Sequence, residues 1–158
     1  MLNTTMIDNV LNRFLADNDF ECTAEMGTDF AYYWKEEIIT YSLVVSERMD
    51  NLFLDFARKN GLKIDCGIFL LSFFHELGHY ETMDELTDAE ETRCERVKAK
   101  LDSNKDIDCY KYFSLLDEWL ATSWAIDYIN NNIDTIKQLA IDIQQAIHTF
   151  TNTYSLED

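Results

Sequence analysis

The chain has 158 residues with 47% hydrophobic and 13% aromatic content, which excludes a disordered chain and predicts a single domain over residues 1–158. Its 30 acidic and 13 basic residues give a net charge of −17, which argues against binding to nucleic-acid phosphates or to anionic membranes. The acidic balance predicts a soluble chain and, as a functional alternative, attraction of basic protein or peptide partners.

The N-terminal part predicts one helix and two strands. Apolar residues at helical spacing predict an amphipathic helix over residues 4–17, and the polar residues 18–28 predict a connection. Aromatic and β-branched residues over 30–34 and 38–44 predict two strands, joined as a hairpin at 35–37.

The rest of the chain predicts five helices. They are expected over residues 47–60, 66–80, 88–102, 111–130 and 133–150, with a polar loop at 103–108. Ser46, Asp65 and Thr87 are the expected N-caps, while Gly61 and the run of Asn at 130–132 are the expected stops. The order of elements predicts an α+β fold, mainly α, in which a small β-sheet or hairpin packs on the helices.

Residues 75–79 read His-Glu-Leu-Gly-His, an HExxH motif inside a strongly apolar run. On a helix, residues four apart lie on one face, so the imidazoles of His75 and His79 can reach one metal ion. Glu76 then lies beside that ion, where its carboxylate can accept a proton from water. Two imidazoles and a carboxylate in a buried helix are costly without a partner, and a divalent metal ion supplies one.

A catalytic zinc ion usually has three protein ligands and one open position, so a third ligand is required. Glu118 is favoured, because it is a carboxylate in a strongly apolar helix whose Ala121 and Ala125 allow a close approach on the same face. The neighbouring Asp117 points about 100° away on a helix. His148 is a candidate near the C-terminus. Acidic residues after the motif are too numerous to be diagnostic and are interpreted as surface: Glu81, Asp84, Glu85, Asp88, Glu90 and Glu91.

The two segments together resemble the gluzincin metallopeptidases, in particular the small ImmA/IrrE-type peptidases of phages and mobile elements. Members of that group carry HELGH on one helix and Glu-x-x-Ala-x-x-aromatic-Ala on a later helix, which residues 75–79 and 118–125 match. The resemblance implies a minimal zincin-like domain in which His75, His79 and Glu118 bind Zn²⁺. The intervening residues 80–117 are acidic and carry no assignable pattern.

The function that the resemblance implies is a zinc-dependent metallopeptidase acting on a protein or peptide substrate. Zinc lowers the pKa of a bound water to about 7, and Glu76 is the expected general base. Candidate donors to the developing oxyanion are Tyr80, Tyr110, Tyr112, Tyr128 and His148. Candidate acceptors for the outer imidazole nitrogens are Asp117, Thr122 and Asp127.

The strand at 38–44 precedes the HExxH helix in the chain. In peptidases of the type that the chain resembles, an edge strand pairs with an extended substrate, and such main-chain pairing binds peptides without requiring a particular sequence. The alternative for this strand is a small sheet that covers the core. The residues leave both alternatives open.

A second function is compatible with the sequence: a non-catalytic zinc-binding module for regulation or protein interaction, with a peptidase-like fold. The complete HExxH favours the enzyme, whereas the small size of the chain favours the module. The N-terminus lacks a basic segment followed by an apolar core, and no apolar run reaches the ~18 residues that span a bilayer, so a cytoplasmic protein is expected. Four scattered cysteines are expected to remain reduced thiols.

Overall fold

The computed structural model describes residues 5–44 and 46–154, with side chains described as far as residue 149. The fold is α+β and mainly α, as predicted. Residue 4 of the predicted first helix and the side chain of Phe150 in the predicted last helix lie outside the described parts. The elements in chain order are α1 (Met6–Asp17), β1 (Thr23–Met26), β2 (Ala31–Tyr33), β3 (Ile38–Tyr41), α2 (Glu47–Lys59), α3 (Gly67–Thr82), α4 (Asp88–Lys98), α5 (Asp106–Phe113), α6 (Leu116–Asn131) and α7 (Ile133–Tyr154).

The three strands form one mixed sheet in the order β1-β3-β2. The predicted hairpin is confirmed, because β2 pairs antiparallel with β3, with Tyr32 opposite Ile39. The prediction of a plain connection over residues 18–28 was wrong: β1 lies there and pairs parallel with β3. As a result β3 is the central strand, which excludes the first of the two alternatives left open for residues 38–44, an edge strand that pairs with a substrate.

The two edges of the sheet differ in their hydrogen bonding. Asn12 on α1 lies against β1, where its side-chain amide both donates to the Ala24 carbonyl oxygen and accepts from the Ala24 N–H, each at 2.8 Å. This side chain takes the main-chain groups that another strand would otherwise use. The outer edge of β2 has no such cover among the described residues, so β2 is the available edge.

Most helix boundaries follow the predicted caps. Thr87 and Glu90 form the predicted capping box at the start of α4. Ser46 is at the N-cap of α2, although its side chain makes no capping hydrogen bond. The prediction of Asp65 as the N-cap of α3 was wrong, because Cys66 occupies that position; the Asp65 carboxylate still accepts a hydrogen bond from the Gly67 N–H.

One predicted helix is divided into two. Residues 111–130 were expected to form one helix, but α5 ends at Phe113 and Leu115 is extended (φ −61°, ψ 146°) before α6 begins. The break allows Phe113 to pack against Phe53 and Phe56 of α2 in a second, smaller cluster of buried side chains. Glu118 therefore lies in the first turn of α6, where the positive end of the helix dipole stabilises a carboxylate.

The main core covers more than half of the circumference of α3, while Ser72, Glu76 and His79 lie on a less buried face of the helix. Its closest neighbour is α6, and Ala121 and Ala125 are fully buried at their contact, as the small residues predicted. Gly78 on α3 lies directly against the backbone of Ala121. The helix that contains the HExxH motif, α3, and the helix that contains Glu118, α6, are thus in direct backbone contact.

No helix in the described ranges is both long and apolar enough to cross a membrane.

Candidate metal centre

The HExxH residues lie in the second half of α3, next to fully buried residues of the main core. His75 is 9% exposed, while Glu76 and His79 are half-buried on the side that faces a cavity. The neighbouring Phe73, Phe74 and Leu77 are fully buried and anchor this part of the helix. Burial of these apolar neighbours therefore fixes the direction in which the two imidazoles point.

The three predicted ligands converge on one point. His75 Nε2 lies 2.9 Å from Glu118 Oε2, His79 Nε2 lies 3.4 Å from the same oxygen, and the two Nε2 atoms are 3.1 Å apart. Ligand atoms about 2.0–2.1 Å from a tetrahedral zinc ion are about 3.3 Å from one another, so these separations fit a single ion. Within residues 5–44 and 46–149, this is the only group of three such side chains that could hold a metal ion.

Two contacts fix the ring of His75. Its Nδ1 lies 2.9 Å from Oγ1 of Thr122, which is fully buried on α6. When Nδ1–H donates to this oxygen, Nε2 carries the lone pair that a metal ligand needs. Phe53 packs against the ring edge-on at 5.3 Å between centroids. Thr122, one of three acceptors suggested by the sequence, therefore contacts an imidazole as expected.

Lys98 at the end of α4 contacts the candidate ligand Glu118. Its Nζ donates to Glu118 Oε1 at 2.7 Å and to Asp117 Oδ2 at 2.5 Å. The two oxygens of Glu118 thus have different partners, with Oε2 directed at the imidazoles and Oε1 at the ammonium. Asp117 was the weaker candidate ligand, and its carboxylate binds Lys98 instead.

Glu76 borders a cavity of about 180 Å³ next to the three ligands. The charges of both imidazoles, of Glu118 and of Asp29 act on its carboxylate. Among the described residues, this carboxylate has no hydrogen-bond partner. The apolar wall of the cavity comes from the loop before β2 and from α2 and α5, through Phe30, Met49, Phe53, Tyr112 and Phe113. Burial in such surroundings favours the uncharged form of a carboxylate.

The electrostatics of the centre follow from this burial and pairing. Burial raises the pKa of Glu118, but hydrogen bonds to His75 and His79 outweigh it and hold that pKa well below its ordinary value. Burial lowers the pKa of Lys98, but the carboxylates of Glu118 and Asp117 outweigh it, so the pKa is raised and the ammonium stays charged. Burial raises the pKa of Glu76, an effect that the nearby imidazoles only partly offset.

The same shifts predict how the stability of the metal-free protein depends on pH. Burial lowers the pKa of His79, but the hydrogen bond and charge of Glu118 raise it above its ordinary value of 6.5, and Glu76 is raised above 4.5. A group whose pKa is higher in the folded state contributes stability that is complete below its unfolded pKa and is lost as the pH rises through its folded pKa. We therefore expect the Tm of chelator-treated protein to fall between about pH 5 and pH 8.

Thermal denaturation at several pH values, with and without added zinc, measures this effect. A metal ion held by this group would bind the deprotonated imidazoles, so added zinc should stabilise the protein most at the alkaline end of the series. In the Glu76→Gln variant the metal-free slope should be smaller, because one of the two titrating groups is gone. A slope of the opposite sign in the metal-free protein would contradict the assignment.

Several sequence candidates lie away from the centre. Asp127 is exposed on α6, and His148 is exposed on α7. The acidic residues at 81, 84, 85, 88 and 91 are exposed, and Glu90 serves in the α4 capping box. All four cysteines are free thiols, and none belongs to the group around Glu118.

Among the five candidate oxyanion donors, Tyr112 is the one that lines the cavity. Burial and the charge of Glu118 raise the pKa of its hydroxyl, which therefore stays protonated. The Tyr80 hydroxyl lies 3.4 Å from the Glu21 N–H, while Tyr128 stacks on Phe74 and Trp124 in the core. Lys98 was missed by sequence reasoning, because a lysine at the end of a polar helix has the pattern of a solvated surface residue.

Comparison of the chain with models of protein families, with curated proteins and with solved structures found no match in any of the three.

Proposed function

We propose that this protein is a zinc metallopeptidase that hydrolyses peptide bonds in a protein or peptide substrate. The observation that carries the proposal is the convergence of His75, His79 and Glu118 within 4.8 Å of one another, with Glu76 beside them at a cavity. The HExxH segment and the Glu-x-x-Ala segment come together in space, as the resemblance to gluzincin peptidases requires. His₂Glu is an established ligand set for catalytic zinc.

The chain's own residues supply binding, orientation and proton transfer. His75, His79 and Glu118 would hold the ion, and Thr122 and Lys98 orient two of these ligands. When bound, zinc would act as a Lewis acid toward the substrate carbonyl and would lower the pKa of a water molecule to about 7. Glu76 Oε would accept the proton of the attacking water and deliver it to the leaving amine nitrogen.

Glu76 and Tyr112 suit these roles for opposite reasons. Burial raises the proton affinity of the Glu76 carboxylate, and no described residue donates a hydrogen bond to that carboxylate. Tyr112 keeps its proton and lines the same cavity, so its hydroxyl can donate to the oxyanion that develops on the substrate.

The sheet suggests how a peptide approaches. The exposed edge belongs to β2, and Phe30 immediately before this strand lines the cavity. An extended peptide added along β2 would pass beside Glu76, and exposed Tyr33 and Trp34 offer it aromatic surface. The cavity is smaller than the roughly 300–1,000 Å³ of typical ligand pockets, so it would accept one side chain of the substrate. The net charge of −17 favours basic peptides.

The alternative, a structural zinc site in a binding module, predicts a fourth protein ligand. No fourth His, Cys, Asp or Glu among the described side chains belongs to the group, and this supports an open coordination position. The limited size of the cavity is the feature that favours the alternative.

Metal analysis tests the proposal directly. Protein purified without chelator should contain about one zinc ion per chain, and Glu118→Ala should weaken zinc binding by about 100-fold or more, beyond the usual effect of losing an outer contact. Asp117→Asn is the matched control, since it alters the adjacent carboxylate, which contacts Lys98 and not the imidazoles. Wild-type protein should cleave unfolded peptides, lose this activity to chelator and regain it with zinc. Protein that takes up no zinc, or a tightly zinc-loaded protein with no cleavage of any peptide in a broad mixture, would refute the peptidase.

A further inference from the structure

The segment between the two motifs places one half-buried cation, the ammonium of Lys98, at the candidate metal centre. Lys98 is the last residue of α4, a helix in which Cys94 is the buried residue. Its side chain is 19% exposed, and the carboxylates of Asp117 and Glu118 that it contacts are 11% and 5% exposed. Two of its three N–H groups are directed at these two carboxylates, and the ammonium also lies 5.2 Å from the centre of the Tyr112 ring.

The contact decides how Glu118 can bind a metal ion. A glutamate carboxylate can bind through one oxygen or through both, and binding through both would use the position that a catalytic site leaves open. Here Oε1 is held at 2.7 Å by Lys98, on the far side from Oε2, which faces the imidazoles. Rotation of the carboxylate to present both oxygens to the ion would break this charge-assisted hydrogen bond in a buried site.

Lys98 also balances the charge of the centre. With neutral imidazoles, the carboxylates of Glu76, Asp117 and Glu118, the Lys98 ammonium and a divalent ion together carry no net charge. An uncompensated charge in a buried site is unfavourable, so the ion and the lysine both contribute to a stable arrangement.

We infer that Lys98 is a positioning residue that keeps Glu118 a one-oxygen metal ligand and thereby preserves the open coordination position. The inference relies on the metal centre of the proposed function, but not on peptide hydrolysis. It also gives residues 80–117 a role: α4 carries Lys98 to the first turn of α6.

A charge-matched variant tests the inference. Lys98→Met/Asp117→Asn removes one positive and one negative charge, so the net charge of the site is kept while Glu118 Oε1 loses its hydrogen bond from Lys98. The readout is the visible spectrum of the protein loaded with Co²⁺ in place of zinc, which distinguishes four ligands from five. We expect the visible absorption of the Co²⁺-loaded double variant to be weaker than that of wild type, as for an ion with five ligands. Wild type, Asp117→Asn and Lys98→Arg should keep the stronger absorption of an ion with four ligands. An arginine at position 98 can donate hydrogen bonds to both Asp117 and Glu118, so Lys98→Arg should keep Glu118 a one-oxygen ligand.

Activity provides a second readout where hydrolysis is observed. The double variant should retain stoichiometric metal but lose about 10- to 100-fold in kcat, the usual effect of removing an outer contact of a metal ligand. A merely structural role for Lys98 would instead lower the Tm and leave the cobalt spectrum unchanged. An unchanged spectrum in the folded double variant would therefore overturn the inference.

A crystal structure of zinc-loaded wild-type protein keeps the inference testable even if the double variant does not fold. Glu118 Oε1 should remain on Lys98 with only Oε2 on the ion, and a two-oxygen Glu118 would overturn the inference. Wild-type protein that binds neither zinc nor cobalt would refute the metal centre, and with it the proposed function. Wild-type protein that binds metal while the spectra of all variants agree would refute the role of Lys98 alone.

Discussion

Replacing Glu76 by glutamine is expected to lower kcat/KM for peptide hydrolysis by about 10³-fold, while about one zinc ion per chain is retained. Glutamine has the size and shape of glutamate but does not accept a proton near neutral pH. Because the Glu76 side chain is not one of the three grouped ligand candidates, its replacement should leave metal affinity almost unchanged. Steady-state kinetics and metal analysis on the same preparation measure the two quantities.

Asp29→Asn is the matched control for Glu76→Gln. Asp29 is exposed and its charge acts on Glu76, so this variant removes a neighbouring carboxylate by the same chemical change. We expect it to change kcat/KM by less than about tenfold, as for an exposed charge. A fully active Glu76→Gln protein would exclude the proposed mechanism. Equal decreases in kcat/KM in the two variants would show that the effect comes from removing a negative charge near the site, not from losing a general base.

Replacing Gly78 by alanine should destabilise the protein by about 3 kcal/mol or more, although Gly→Ala inside a helix ordinarily stabilises by about 1 kcal/mol. A Cβ atom at position 78 would lie 2.3 Å from the carbonyl oxygen of Ala121 and 2.9 Å from its carbonyl carbon. These atoms belong to the backbone of α6, so the clash is relieved only if α3 and α6 move apart. That movement would also separate the imidazoles from Glu118 and weaken zinc binding.

Denaturant unfolding of the metal-free protein and zinc affinity of the folded protein measure the two effects of Gly78→Ala separately. Adding Ala121→Gly should give no rescue, because the clash is with backbone atoms that this second change retains. Rescue by Ala121→Gly, or a Gly78→Ala protein as stable as wild type, would show that the helices are not in the close contact described above.

Most of the helix boundaries could be predicted from local sequence patterns. The capping box at Thr87 and Glu90, the stop at Gly61 and the asparagines before α7 depend on residues within one turn of the helix end, so sequence alone predicts them. The HExxH spacing has the same local character. Glu118 was favoured because a carboxylate in an apolar helix requires a partner, and the structure places it against both imidazoles.

The features that sequence reasoning missed depend on distant parts of the chain. Thr23–Met26 is a strand only because β3 and Asn12 of α1 supply its hydrogen-bond partners, and its own residues resemble a polar connection. The division between α5 and α6 has no Gly or Pro to mark it, since it follows from the packing of Phe113 on α2. Lys98 is 20 residues from Glu118 in sequence, and only the packing of α4 on α6 brings their side chains together.

Ligands drawn from α3 and α6 make a bound ion a cross-link in the chain. Joining His79 to Glu118 closes a loop of about 40 residues, and in the chain-entropy model such a closure disfavours the unfolded state by about 4 kcal/mol. The loop contains α4, in which one residue is buried, and α5. α4 has little core of its own, whereas α5 packs on α2 through Phe113, so the resistance of α4 to local opening would depend most on whether the ion is bound. In the cell, the supply of metal would then determine how long the chain survives proteases as well as whether the proposed activity is present.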